Sequence, residues 1–189
     1  MRTPIMVYNT RLPEELCDLF IKQAKDIKLE PSTIGSQKEF EVIEKTRNSN
    51  VGWIGQEHWL GGFLWNYIWM ANESNYGYDI LGLDHQKYQY SEYGVDGHYS
   101  WHIDTQEPDP EKPFRSIRKL SLTLQLSRED EYTGGELEFS NDFNQTTFTT
   151  PRDYGVLTIF DSRTLHRVKP VTSGLRKSIV GWVVGPPWK

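Results

Sequence analysis

A single cysteine, Cys17, stands in 189 residues. The chain therefore cannot close an internal disulfide, and it has no thiolate set to seal a structural zinc site. Basic residues are also short, 21 Lys and Arg against 26 Asp and Glu for a net charge of −5, so the cationic surface that nucleic acids release counterions to is missing. No apolar run reaches membrane-spanning length. The nearest, residues 59–71, is interrupted by Gly61, Gly62 and Asn66. Met1-Arg2-Thr3-Pro4 is not followed by the apolar core of a signal peptide. These absences point to a reducing, cytoplasmic setting, with no membrane partner and no nucleic acid as the expected ligand. No internal repeat and no Pro/Gly linker divides the chain, and its length suits one domain over residues 1–189. What the chain does carry is aromatic residues, 13% of the total with seven Trp and ten Tyr, too many for a disordered polymer.

The first 80 residues read mainly as helical support. Pro13-Glu14-Glu15 is a helix first turn, with Leu16, Leu19, Phe20, Gln23 and Ala24 as one stripe. A second helix is predicted over Gln56 to Asn72, its core stripe being Trp59, Phe63, Tyr67 and Met70. Between them, Glu39 to Ile54 alternates like a strand around Phe40, Val42 and Ile43.

From residue 83 to 189 short strand patterns dominate: Lys87 to Glu92, His98 to Asp104, Arg118 to Ser127, Glu136 to Phe139, Thr146 to Thr149, Gly155 to Phe160, His166 to Val168 and Lys177 to Val184. Leu120, Leu122, Leu124 and Leu126 alternate with Ser121, Thr123 and Gln125, one face for a helix layer and one for a polar interior. The expected fold is mainly β with α: a double-sheet jelly roll with N-terminal helices packed on one sheet. Arg128 to Thr133 and Thr172-Ser173-Gly174 read as turns, and the proline-rich stretch Thr105 to Ile117 as a lid.

On an extended strand His102 and Asp104 share a face, and a later strand carries His166. Two imidazoles and one carboxylate on one side of a metal leave the opposite positions free, which suits a non-haem ferrous centre. Arg176, ten residues beyond His166, can grip the far carboxylate of a chelating 2-oxo acid through paired charge-assisted hydrogen bonds.

The segment Tyr93-Gly94-Val95-Asp96-Gly97-His98-Tyr99-Ser100-Trp101-His102-Ile103-Asp104, with Gly134-Gly135-Glu136-Leu137-Glu138-Phe139, Phe160-Asp161-Ser162, Leu165-His166-Arg167-Val168-Lys169-Pro170-Val171 and Gly174-Leu175-Arg176, resembles the prolyl 4-hydroxylase branch of the Fe(II)/2-oxoglutarate dioxygenases. The small bacterial and phage hydroxylases are the nearest group, and Arg47 to Trp53 resembles an early segment of it. The resemblance implies that His102, Asp104 and His166 bind Fe(II) and that Arg176 and Tyr93 hold 2-oxoglutarate. It implies also that Thr123 and Gln125 line the cosubstrate pocket, and that Tyr99, Trp182 and Arg118 stand on the substrate side. O2 is the second cosubstrate and ascorbate a reductant in such enzymes. A peptide or protein substrate follows, hydroxylated at a prolyl residue with release of succinate and CO2. Dioxygenases acting on another side chain, a small molecule or a nucleobase stay open as readings, as does a non-catalytic, metal-containing jelly-roll binding or virion-associated module.

Overall fold

The computed structural model describes residues 3–8, 11–32, 46–105, 116–141 and 147–188. In chain order the elements are β1 (Ile5–Val7), α1 (Glu14–Ala24), β2 (Glu30–Pro31), β3 (Arg47–Asn48), β4 (Asn50–Gly55), α2 (Trp59–Ala71), β5 (Gly82–Leu83), β6 (Lys87–Tyr93) and β7 (His98–His102). They continue as β8 (Ile117–Gln125), β9 (Tyr132–Gly134), β10 (Leu137–Ser140), β11 (Phe148–Thr149), β12 (Leu157–Asp161), β13 (Leu165–Val168), β14 (Val171–Gly174) and β15 (Arg176–Gly185).

Two antiparallel sheets face each other. The larger runs β1-β12-β8-β15-β6-β4-β2, with β5 also on β15, and the smaller runs β11-β10-β13-β7-β3. This is the expected double-stranded β-helix with helices on one sheet. The leucine strand explains the layering, because Leu120, Leu122, Leu124 and Leu126 are buried in a core shared with Phe20 of α1 and Leu64 and Ile68 of α2. Each such leucine contributes about 1.5–3 kcal/mol by leaving water. The opposite face of β8, Ser121 and Thr123, turns into the space between the sheets. There a second, smaller core of Tyr93, Leu137, Phe139, Phe160, Val168 and Val171 closes one end.

Several sequence expectations are corrected. Helix α2 starts at Trp59, with His58 as its cap accepting from the Leu60 amide, and its buried stripe is Leu60, Leu64, Ile68 and Ala71. Phe63 and Met70 are 46% and 43% exposed instead. A segment that is apolar on nearly every side gives periodicity no means of choosing its inner face. In α1 the buried set is Cys17, Phe20 and Ala24, while Leu19 is exposed. Of the two stretches read as turns, the first forms a 3-10 turn at Glu129–Glu131 as expected, whereas its Tyr132 and Thr133 enter β9 and pair with β14, which takes in Thr172-Ser173-Gly174. The N-terminal region supplies an unexpected strand, β1, paired with β12, while β4, at the end of the stretch read as strand-like, pairs with β6. Residues 39–45 and most of the predicted lid, 106–115, lie outside the described residues.

Gly174 makes the turn into β15. Its φ is +75°, and an added Cβ would lie 2.0 Å from the Glu131 carbonyl oxygen. Gly135, at φ +66°, keeps clear the stem of Arg176, whose Cδ would lie 3.0 Å from a Cβ there.

Candidate active site

β13 lies against β7 with His166 directly opposite His102, so adjacent strands bring the two imidazoles together across the inner face, ring centres 4.1 Å apart. Asp104 arrives differently from the expected alternation. β7 ends at His102, and the chain bends so that the backbone amides of Asp104 and Thr105 both donate to the Ser162 carbonyl, at 2.9 and 3.0 Å. The carboxylate then sits 3.6 Å from His102 Nε2 and 3.5 Å from His166 Nε2. The three ligand atoms lie within 4.8 Å of one another, and no other such cluster occurs among the described residues.

Each imidazole is oriented through its other nitrogen. His102 Nδ1 is 2.8 Å from the Ser100 carbonyl and His166 Nδ1 is 2.9 Å from the Thr164 carbonyl. A carbonyl can only accept, so each Nδ1 carries the proton and each Nε2 presents a lone pair to the common point. Ser121 Oγ donates to Asp104 Oδ2 at 2.7 Å and is itself 2.9 Å from Ser162 Oγ. Burial opposes ionisation of Asp104, but His166, His102 and the Ser121 hydroxyl outweigh it and hold the carboxyl below the usual carboxylate range. Burial pushes His166 down to about 4 against the pull of Asp104, so the ring is neutral at pH 7. Tyr99 stacks on His102 at 3.5 Å, and Phe160 packs edge-on to His166 at 4.8 Å. The donor set fits a divalent ion held from one side: two imidazole nitrogens and one carboxylate oxygen, with no fourth ligand among the described residues.

Arg176 opens β15 opposite Tyr93 at the end of β6. It is 4% exposed, and its Nη1 donates to Ser178 Oγ at 3.3 Å. No carboxylate lies within ion-pair distance of it among the described residues. Arg176, Tyr93 and the His102–Asp104–His166 cluster line one cavity.

The family model described as "2OG-Fe(II) oxygenase superfamily" matches residues 88–184, the stretch that carries all of these groups. The chain belongs to the 2OG-Fe(II) oxygenase superfamily. That membership brings its cofactor set, ferrous iron with 2-oxoglutarate and O2. The chain is 33% identical over 103 residues to a PKHD-type hydroxylase of Stenotrophomonas maltophilia, covering 54% of this chain and 45% of that protein. It is 43% identical over 86 residues to one of Hyphomonas neptunium, covering 45% and 37%. The aligned stretch is thus less than half the length of either relative. The fold is shared more widely. A Pseudomonas putida prolyl-4-hydroxylase superposes with TM-score 0.70 at 17% identity, covering 98% of this chain and 94% of that one. A viral collagen prolyl hydroxylase from Paramecium Bursaria Chlorella virus-1 gives 0.72 at 20%, covering 97% of both.

Other expected oxygenase-site residues divide into two groups. Thr123, Tyr99 and Trp182 line the cavity. Trp182 is 8% exposed and its Nε1–H has no acceptor among the described residues. Gln125 is not in the cavity wall: its amide nitrogen donates to the Tyr132 hydroxyl at 2.9 Å and the Ser127 carbonyl at 3.2 Å. It shares the face of Thr123 but stands one pleat further along β8, where those partners hold it. Arg118 is likewise committed elsewhere, to Asp84 at 2.8 Å, and covers the Trp182 ring at 4.1 Å without lining the cavity. Sequence reading missed Ser121, Ser162, Gln89 and Arg47 as site residues. Ser121 was visible as a member of the polar face of β8, whereas Ser162 becomes significant only once the Asp104 turn is seen. No helix is long and apolar enough to cross a membrane among the described residues.

Proposed function

We propose that this chain is a single-domain hydroxylase that inserts oxygen into an unactivated C–H bond of a prolyl residue in a peptide or protein. One atom of O2 enters the substrate and the other enters succinate as 2-oxoglutarate loses CO2. Ferrous iron with 2-oxoglutarate and O2 supplies the oxidising power for that insertion. His102, Asp104 and His166 would hold the iron, and the remaining chemistry is positioning by the protein.

The observation that carries the reading is Arg176, a buried cation with no carboxylate partner among the described residues, in the same cavity as a one-sided metal-binding cluster. Buried charges ordinarily require a partner. A dicarboxylic acid with one end at the metal and the other on the guanidinium satisfies both demands. Tyr93, paired with Arg176 across the strands, can add its hydroxyl to the same carboxylate. Thr123 lines the wall beside it. Tyr99 and Phe160 pack against the two histidines and would limit water at the reacting centre. The prolyl substrate is suggested by the prolyl hydroxylases that share the fold. It is tested by measuring succinate release over a panel of proline-containing peptides and locating the added oxygen by mass spectrometry. Substrate-dependent succinate and a mass gain on proline are expected. Turnover confined to lysyl, asparaginyl or nucleobase substrates would reject the prolyl assignment while leaving the reaction class standing.

A further inference from the structure

Arg47 is the charged group in the cavity that the proposed reaction leaves unused. It is 7% exposed, its Nε donates to Ser49 Oγ at 3.3 Å, and its guanidinium carbon lies 4.8 Å from the centre of the Tyr99 ring. No carboxylate lies within ion-pair distance of it among the described residues. Its place is fixed by pairing: β3 is hydrogen-bonded to β7 with Arg47 directly opposite Tyr99, and Tyr99 in turn stacks on His102. Arg47 therefore stands one ring away from a candidate iron ligand. It borders both the metal cavity and the adjoining opening toward Trp53, and Gln89 borders both with it.

Charge accounting separates Arg47 from Arg176. A ferrous ion on neutral imidazoles and Asp104 keeps one positive charge, Arg176 adds another, and the two carboxylates of 2-oxoglutarate cancel both. The positive charge of Arg47 is left over, buried, and on the side of the cavity that opens outward. A guanidinium fork whose terminal N–H groups meet no acceptor among the described residues selects a carboxylate over a neutral amide, because only the carboxylate returns both charge and paired acceptors.

We propose that Arg47 is a carboxylate subsite for the substrate, so that the molecule hydroxylated carries a carboxylate close to the carbon that reacts. This rests on the reading of the cavity as an iron and 2-oxoglutarate site, and it narrows the substrate of that site. The carboxylate can come from a free amino acid, from a peptide C-terminus or from an acidic side chain beside the target residue.

The test uses the full chain loaded anaerobically with Fe(II) and 2-oxoglutarate, titrated with matched probes and followed by calorimetry and by the visible band of the loaded site. The pairs are N-acetyl-L-proline against N-acetyl-L-prolinamide, a proline-ending peptide with free against amidated C-terminus, and an internal proline beside glutamate against glutamine. The expected result is binding about tenfold or more tighter for the carboxylate member of at least one pair, and which pair responds identifies the source. Arg47→Met should remove that preference, and Arg47→Lys, which keeps the charge without the fork, should retain part of it. Equal binding within every pair, a preference that survives Arg47→Met, or no binding by any carboxylate member would overturn the proposal. Failure of the underlying reading shows separately, as absence of the visible band before any probe is added.

Discussion

The hydroxyl of Ser121 and the backbone around Ser162 decide how Asp104 is presented. Ser121→Ala removes the donor to Oδ2, so the carboxylate should lose orientation and be less strongly held in its ionised form. The expected effect is a 10–100-fold weaker affinity for Fe(II) or Mn(II), read by metal titration, with unchanged far-UV circular dichroism. The imidazoles set a pH dependence. In the unfolded chain a histidine takes its proton near 6.5, whereas folded His166 resists protonation down to about 4. Between those values the unfolded state binds more protons, so stability rises with pH. The metal-free protein should be fully stabilised by this group above about pH 6.5 and lose the contribution as pH falls toward about 4. Chemical denaturation at a series of pH values checks it, and a flat profile would contradict it. Neutral His166 thus outlasts the mild acid in which a free imidazole would protonate. At this scale the sequence pointed through residue chemistry to the candidate triad and to Arg176, but the strand alternation it offered for His102 and Asp104 did not foresee the bend after His102 that presents Asp104. It could not place Gln125, whose side chain is captured by Tyr132 in the next hairpin, nor Arg118, taken by Asp84.

Strand patterns were legible wherever one face is apolar and the other polar. β8 was readable to within a residue or two because its leucines alternate strictly with Ser, Thr and Gln. α2 shows the opposite case: its presence and C-terminal end were readable but its start and orientation were not, since tryptophan, phenylalanine, leucine and isoleucine occupy both faces. The corrected face has a direct consequence. Leu64→Ala should cost about 2–5 kcal/mol by leaving a cavity, while Phe63→Ala, at a half-exposed ring touching Trp59 edge-on, should cost no more than about 1.5 kcal/mol. Equal losses in urea titrations of the two variants would contradict the packing. The turn between β14 and β15 carries a similar prediction. Gly174→Ala forces a Cβ against the Glu131 carbonyl at a positive φ and should cost about 1–3 kcal/mol, with Arg176 displaced and the affinity for 2-oxoglutarate reduced.

Across the whole molecule, one strand carries both duties. The outer face of β8 packs the helices, and its inner face supplies Ser121 to the His102–Asp104–His166 cluster and Thr123 to the cavity. The site is therefore built on paired strands from both sheets: β7 and β13 bring the histidines, and β15 with β6 brings Arg176 and Tyr93. The jelly roll was legible in the sequence as many short strands after two helices, but the pairing of β3 with β7 that fixes Arg47 is a long-range contact with no local pattern behind it. The most direct measurement of the central claim is anaerobic addition of Fe(II) and then 2-oxoglutarate, recording the weak visible charge-transfer band of a chelated 2-oxo acid. The wild-type chain should develop the band, Arg176→Ala should require far more 2-oxoglutarate to reach it, and His166→Ala should bind iron too weakly to show it. A wild type without the band, or an Arg176→Ala variant that titrates identically to it, would contradict the account.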